Sequence, residues 1–220
     1  MDPILAEVNP EQQHAIMHGR GPLLVVAGAG SGKTRVITRR VAYLVQQGAL
    51  PYQVTALTFT NKAAREMRDR VQQLVPAKDL WVCTFHSFAA RTLRRYADRI
   101  GYTREYSIYD TEDRIKLIKE LLKEKSLDTI RPNEIVNALG RIKNRLGGLD
   151  QSHHRSDQIA EVIHAYEARM RGANAMDFDD LLVNLQKLLD NDEEARLRLQ
   201  ARCRWLLVDE YQDTNAVQYK

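Results

Sequence analysis

Six residues near the amino terminus have the types and spacing to hold a phosphate. They are Gly28, Gly30, Ser31, Gly32, Lys33 and Thr34, inside Leu23–Thr34, LLVVAGAGSGKT. Glycines let consecutive backbone N–H groups curl around phosphate oxygens with no Cβ in the way. A helix beginning at Lys33 adds the positive end of its dipole. Lys33 can then reach the β- and γ-phosphates, and the Thr34 hydroxyl can ligate Mg²⁺. The strict pattern has glycine where this chain has Ala27, but a small residue still fits the tight turn. A plain glycine turn between strand and helix is the alternative, and the Gly-Lys-Thr ending argues against it. A second chemical pair, Asp209 and Glu210, closes the apolar stretch Trp205–Val208. In a parallel sheet that pair and a phosphate loop project from the same carboxyl edge. There Asp209 can hold Mg²⁺ through water, and Glu210 can orient and deprotonate an attacking water. A protein that only bound nucleotide needs no second carboxylate, so Glu210 argues for hydrolysis.

The elements that must position these residues follow from the hydrophobic pattern. Leu23–Val26 is an unbroken apolar run suited to a strand buried on both faces, and Ile37, Val41 and Leu44 mark one face of the helix after the loop. Before it, Asn9 caps a short helix with Pro10 in its first position, ending near Gly19–Pro22. Val54–Thr60 reads as a strand, with Asn61 capping a helix to about Leu74. Leu80–Phe85 reads as another strand, handing over at His86-Ser87 to a helix with Arg91, Arg94, Arg95 and Arg99. This alternation predicts a parallel sheet with crossover helices.

From about Tyr102 to Gly172 the pattern shows no strand. Helix starts fall at Asp110-Thr111-Glu112-Asp113, at Pro132 (with a stop at Gly147-Gly148) and at Asp157, the last running to Arg171. Ser152–Ser156, with His153 and His154, reads as a loop whose histidines lack partners at ligand spacing. Asp177, Asp179 and Asp180 could form a carboxylate cluster for metal or acid–base work, but a helix start with Asp177 as cap is favoured. A further helix covers Glu193–Arg202.

Composition sets bounds on all of this. A chain of 220 residues, 44% hydrophobic and 28% charged, has room for one large or two small domains with a proper core. No apolar run approaches the ~20 residues needed to cross a bilayer, and the first residues lack a basic-then-apolar signal, so a cytosolic (cytoplasmic) protein is expected. Cys83 and Cys203 sit singly in apolar segments, which predicts buried reduced thiols rather than a disulfide or zinc site. Asn61–Arg99 carries nine Lys/Arg against four Asp/Glu, a larger excess than the +4 of the whole chain. Such a stretch suits nucleic acid, and solvated helix faces account for it equally well.

Six segments together carry a resemblance. Asn9–Gln13 (NPEQQ), Ala27–Val36 (AGAGSGKTRV), Thr58–Met67 (TFTNKAAREM), Thr84–Phe88 (TFHSF), Asp177–Leu181 (DFDDL) and Val208–Asn215 (VDEYQDTN) resemble, in order, superfamily I DNA helicases of the UvrD/Rep/PcrA type. The resemblance implies an α/β, RecA-like P-loop motor lobe in residues 1–88 plus 176–220, interrupted by an all-helical insertion in 89–175. It implies ATP and Mg²⁺ as cofactors. Gln12 would read the adenine edge, and Ala27, Gly28, Ala29, Gly30, Ser31, Gly32, Lys33, Thr34 and Arg35 would surround the nucleotide. Lys33 and Glu210 would be catalytic, and Gln212 would couple the γ-phosphate to DNA movement. Phe59, Thr60, Asn61, Thr84, Phe85 and His86 would line a single-stranded DNA path, with a core role for the strand-ending Phe59 and Phe85 as the lesser alternative. Single-stranded and duplex DNA are the implied partners, with 3′-to-5′ polarity. The family's later motifs and second lobe are missing after Lys220, as is the strand it places between the phosphate-loop and Asp-Glu strands. The chain is therefore expected to be the amino-terminal part of a longer motor, inactive alone. A nucleotide-sensing DNA-binding adaptor, or the motor part of a helicase–nuclease, are the competing readings.

Overall fold

The computed structural model describes residues 2–76, 78–144 and 155–219. The expected stop at Gly147-Gly148 and the loop bearing His153 and His154 lie outside those residues. In chain order the elements are α1 (Pro10–Met17), α2 (Lys33–Gln46), β1 (Val54–Thr58), α3 (Asn61–Leu74), β2 (Trp81–Thr84), α4 (Phe85–Tyr96) and β3 (Ser107–Tyr109). Then come α5 (Thr111–Glu124), α6 (Pro132–Lys143), α7 (Ser156–Gly172), β4 (Ala175–Asp177), α8 (Phe178–Asn191), α9 (Glu193–Arg202) and β5 (Trp205–Val208). The chain divides into two compact units, residues 1–88 with 196–213, and residues 89–195 with 214–220.

The first unit is built on a parallel sheet of order β2-β1-β5 among the described residues. Register places Thr58 beside Thr84 and Leu57 beside Val208, so the three strands end level with one another. β1 is buried throughout, as a central strand covered on both faces must be. Helices α2 and α3 cover it, through Val36, Val41 and Leu44 and through Ala64, Met67 and Val71. Ile16 of α1 joins the same core.

Leu23–Val26 departs from expectation. It is not a strand: the run forms no ladder with the described residues and is exposed, Leu24 at 69% and Val26 at 87%. A strand requires a neighbour, and β5 pairs with β1 on one side only, its other edge unpaired among the described residues. Smaller differences have equally local causes. Thr60, not Asn61, caps α3, because its hydroxyl accepts from Ala63 N at 3.1 Å. Helix α4 begins at Phe85, one residue before the expected handover. Cys83 and Cys203 form no disulfide and are half-buried rather than buried, the latter 3.4 Å from the Thr55 hydroxyl.

The amino-terminal segment is stitched to α2 by arginines. Arg40 donates to the carbonyls of Ala15, Ile16, His18 and Gly19, closing the carboxyl end of α1. Burial pulls its pKa down, yet the guanidinium remains charged there. Arg39 takes the carbonyls of Pro3 and Ile4 in the same way.

The second unit packs α5, α6 and α7 around Ile118, Leu121, Ile135, Leu139, Val162 and Tyr166. It also carries a short parallel ribbon, β3 with β4, that the sequence pattern did not show. Three residues with an exposed serine make no legible alternation. Asp110 caps α5, accepting from Glu112 N at 2.8 Å and Asp113 N at 2.9 Å. Helix α8 groups with this unit, held by β4 at its start and by the ion pairs of Asp177.

Candidate nucleotide and nucleic-acid site

The site lies in the first unit, where the level carboxyl ends of three strands release Phe59, Phe85 and Asp209 at one edge. The ladder continues one step past β5, with Asp209 N donating to Leu57 O at 2.9 Å. Asp209 is thereby drawn in to 6% exposure, while Glu210 stays in solvent. Glu210 adopts φ 51°, a left-handed conformation unusual for a residue with a Cβ. Its carboxylate accepts from Gln212 Nε2. Burial, and then the neighbouring Glu210 charge, raise the Asp209 pKa above its ordinary value. A bond from Glu210 N and the Lys33 ammonium act the other way without cancelling the rise.

The glycine-rich turn reaches α2 through two left-handed residues, Gly30 at φ 76° and Gly32 at φ 85°. Ser31 Oγ donates back to Gly28 O at 2.7 Å, tightening the turn. Gly32 is the N-cap of α2, so no side chain caps that helix among the described residues. Its first N–H groups therefore remain available to an anion. Lys33 Nζ reaches across the turn to the carbonyls of Ala27 and Gly28, 3.1 Å from each. Ala27, Ala29 and Ser31 are exposed on the turn, and Thr34 lies in the first turn of α2. Arg35 spends its Nη1 on the carbonyl of Glu7, at 3.1 Å. Gln12, assigned to a base edge, makes both an N-terminal cap and a bond to the loop, to Ser31 O at 2.9 Å.

The donor set fits a divalent cation bound with a phosphate. Asp209 and Glu210 bring two carboxylates together, and the Lys33 charge does not offset the burial of the first. A hard cation on Asp209 and the Thr34 hydroxyl would relieve that excess of negative charge.

Of the expected nucleic-acid contacts, Phe59 is half-buried with its ring centroid 5.4 Å from that of Phe85, tilted by 48°. Thr60 and Asn61 are exposed at the start of α3. Phe85 is 8% exposed and belongs to the interior. Thr84 is buried too, and its hydroxyl accepts from Ser87 N and donates to Ser87 Oγ, securing the start of α4. His86 is half-buried beside it. The basic stretch is partly consumed within the second unit. Arg94 donates to Arg104 O and lies 4.5 Å above the Tyr106 ring, while Arg99 pairs with Asp192 and Glu194.

The Asp177 cluster is a cap and an ion-pair network. Asp177 accepts from Asp180 N at 2.8 Å, and its other oxygen lies 2.8 Å from Lys143 Nζ and 2.9 Å from the Tyr166 hydroxyl. Lys143 also contacts Asp180, at 2.8 Å. Among the described residues no group of three or more His, Cys, Asp and Glu forms a metal site. Residues the sequence reading passed over are Arg40, Lys143 and Ser31 O as the partner of Gln12. None of these contacts has a spacing signal; the Asn-x-x-Gln spacing of Asn9 and Gln12 marks only the capping box that holds the same side chain.

A glycine-rich turn leading into an uncapped helix, opposite an Asp-Glu pair on a parallel sheet, defines a P-loop nucleotide-binding fold. The model of the UvrD/REP helicase N-terminal domain matches residues 8–220, and the chain belongs to that family. It is similar to proteins named ATP-dependent DNA helicase PcrA. It is 42% identical to that of Staphylococcus aureus over 229 aligned positions, covering 100% of this chain and 31% of the relative. The Bacillus subtilis protein is 42% identical, over 98% of this chain and 31% of the relative. The Staphylococcus epidermidis protein is 41% identical with the same reach as the first. The chain thus spans about a third of the length of the curated relatives it matches. No helix among the described residues is long and apolar enough to cross a membrane.

Proposed function

We propose that this chain is the first motor lobe of an ATP-dependent DNA helicase that moves 3′-to-5′ along single-stranded DNA and separates duplex ahead of it, in the cytoplasm. The observation that carries the reading is geometric. A glycine turn leads into the uncapped amino end of α2, and Asp209 and Glu210 leave β5 at the edge where the three strands end. The relatives' printed names supply the substrate. In this reading residues 1–88 with 176–220 form the motor lobe and 89–175 the insertion.

The residues divide the work by chemistry. Loop N–H groups and the amino end of α2 receive the phosphates, and Lys33 leaves the carbonyls of Ala27 and Gly28 to neutralise the β/γ oxygens. Thr34 and Asp209 hold Mg²⁺, which supplies charge neutralisation on the phosphates when bound. Glu210, exposed at the strand ends, positions a water and takes its proton. Gln212, already on the Glu210 carboxylate, couples that event to the rest of the chain. Arg35 reaches the nucleotide by releasing Glu7 O. Phe59 offers a stacking face to a base, with Thr60, Asn61, Thr84, Phe85 and His86 around the strand. The buried Thr84 and Phe85 act by shaping that surface.

The test uses the intact protein. ATP hydrolysis stimulated by single-stranded DNA, and faster unwinding of a duplex with a 3′ tail than with a 5′ tail, are expected. A protein that binds ATP and DNA with no stimulated turnover would instead be the sensing adaptor.

A further inference from the structure

Gln12 is tied twice within the chain. Its Oε1 accepts from Asn9 N at 3.1 Å, while Asn9 Oδ1 accepts from Gln12 N at 2.8 Å, closing the capping box of α1. Its Nε2 donates to Ser31 O at 2.9 Å, across nineteen positions of chain. A Cβ placed on Gly32 would lie 3.0 Å from that same Nε2. The amide therefore occupies the space that a side chain at position 32 would need, and it fixes one particular peptide of the loop.

That peptide matters because of its geometry. A trans peptide is planar, with C=O and N–H pointing in opposite directions. Holding Ser31 O toward α1 turns Gly32 N–H away from Gln12. The left-handed φ of Gly32, 85°, is the conformation consistent with that orientation. Were the peptide to turn over, the loop would present a carbonyl where a donor is needed, and an anion would meet a lone pair. The anchor is itself firm: Arg40, Arg39 and Arg35 tie carbonyls between Pro3 and Gly19 to α2, the helix that the loop leads into.

We propose that Gln12 is a positioning residue for the phosphate loop, setting the Ser31–Gly32 peptide so that the loop binds phosphates whatever base they carry. This rests on the phosphate-loop reading above and is separate from any contact between Gln12 and adenine. Reading a base with the same amide would require Nε2 to leave Ser31 O, so base contact and loop tether exchange with each other.

A ligand with no base tests it: inorganic tripolyphosphate with Mg²⁺, measured beside Mg-ATP by calorimetry on the intact protein. Gln12→Ala is expected to weaken tripolyphosphate by roughly two- to tenfold, the worth of one hydrogen bond. ATP should weaken by at least as much. Gln12→Glu guards against a folding artefact, because a carboxylate still accepts from Asn9 N and keeps the helix cap. It cannot donate to Ser31 O, so it should show the same loss in 0.5 M salt, about the level that screens its added charge. Tripolyphosphate affinity unchanged in both variants, with ATP alone weakened, would leave Gln12 a base reader and overturn the proposal. Loss in Gln12→Ala but full retention in Gln12→Glu would assign the effect to the cap and overturn it equally. If the unsubstituted protein binds neither ligand, the phosphate-loop reading itself falls.

Discussion

Two carboxylate clusters sit in this chain, and their neighbours differ more than their own residues do. Around Asp177 the carboxylates touch cations: Lys143 lies 2.8 Å from both Asp177 and Asp180, although burial and the Asp177 charge still push the Asp180 pKa up. Burial pushes the Asp177 pKa up, but Lys143 and Arg114 together hold it below its ordinary value. Arg114 lies 3.4 Å from Asp177 and from Asp179, and Asn144 donates to Asp179 at 3.0 Å. At Asp209 the balance runs the other way. Burial and Glu210 win over Lys33, and the pKa rises. Each cluster holds a carboxylate raised by burial, but the first has Lys143 and Arg114 in ion-pair contact, while among the described residues no ion pair reaches Asp209. Contact with a cation, not the number of aspartates, separates the two.

The comparison breaks most sharply at Glu210. Glu210→Gln is expected to lower DNA-stimulated ATP turnover about 10²- to 10⁴-fold, the range for loss of a general base. Mg-ATP binding and urea stability should stay near those of the parent. A turnover within a few fold of the parent would remove the base from the mechanism.

Lys143→Met should do the opposite. It leaves buried Asp177 with Arg114 alone and takes the contacting ammonium from half-buried Asp180, and breaking one side of a buried pair costs about 3–5 kcal/mol. Urea unfolding followed in the second unit should show this loss. A stability change under about 1 kcal/mol, the range of exposed pairs, would mean that water already reaches the cluster.

Phe59→Ala sharpens the boundary between site and core. Loss of one stacking contact is expected to weaken single-strand binding by about 1–3 kcal/mol in a fluorescence titration. If the melting temperature falls instead and DNA affinity holds, Phe59 belongs with Phe85 in the interior.

The smallest effect is in pH. Asp177 has a folded pKa below its ordinary 3.8, so its ionisation favours the folded state above that value. That contribution is lost as pH falls through the lower folded value. Acid unfolding monitored by near-UV dichroism should therefore lose part of its pH dependence below about pH 4 in Asp177→Asn. An identical acid limb in parent and variant would show that the cluster does not couple to folding.

What was legible in the sequence was local. Capping patterns at Asn9, Asp110 and Asp177 fell where the structure has them, because a cap is decided within four residues. The Asp-Glu strand and the glycine turn were readable for the same reason. Leu23–Val26 failed because its strand character depends on a neighbour, and an apolar run does not say whether one is present. Lys143 was invisible as the partner of Asp177, thirty-four residues away, since ion pairs across a helical unit leave no spacing. The two ties of Gln12 lay between these cases. Its cap was written in the spacing from Asn9, and its bond to Ser31 was not.

The backbone of Glu210 has a consequence for how this position can drift. A side-chain-bearing residue held at φ 51° sits about 1–2 kcal/mol above its preferred conformations, and glycine or asparagine would occupy the place more readily. Selection for folding alone should therefore erode the glutamate, while selection for turnover should retain it. A deep mutational library sorted once for soluble expression and once for growth dependent on activity would separate the two. Position 210 should favour glycine and asparagine in the first sort and glutamate in the second, so that the antagonism between persistence and work is recorded at a single residue.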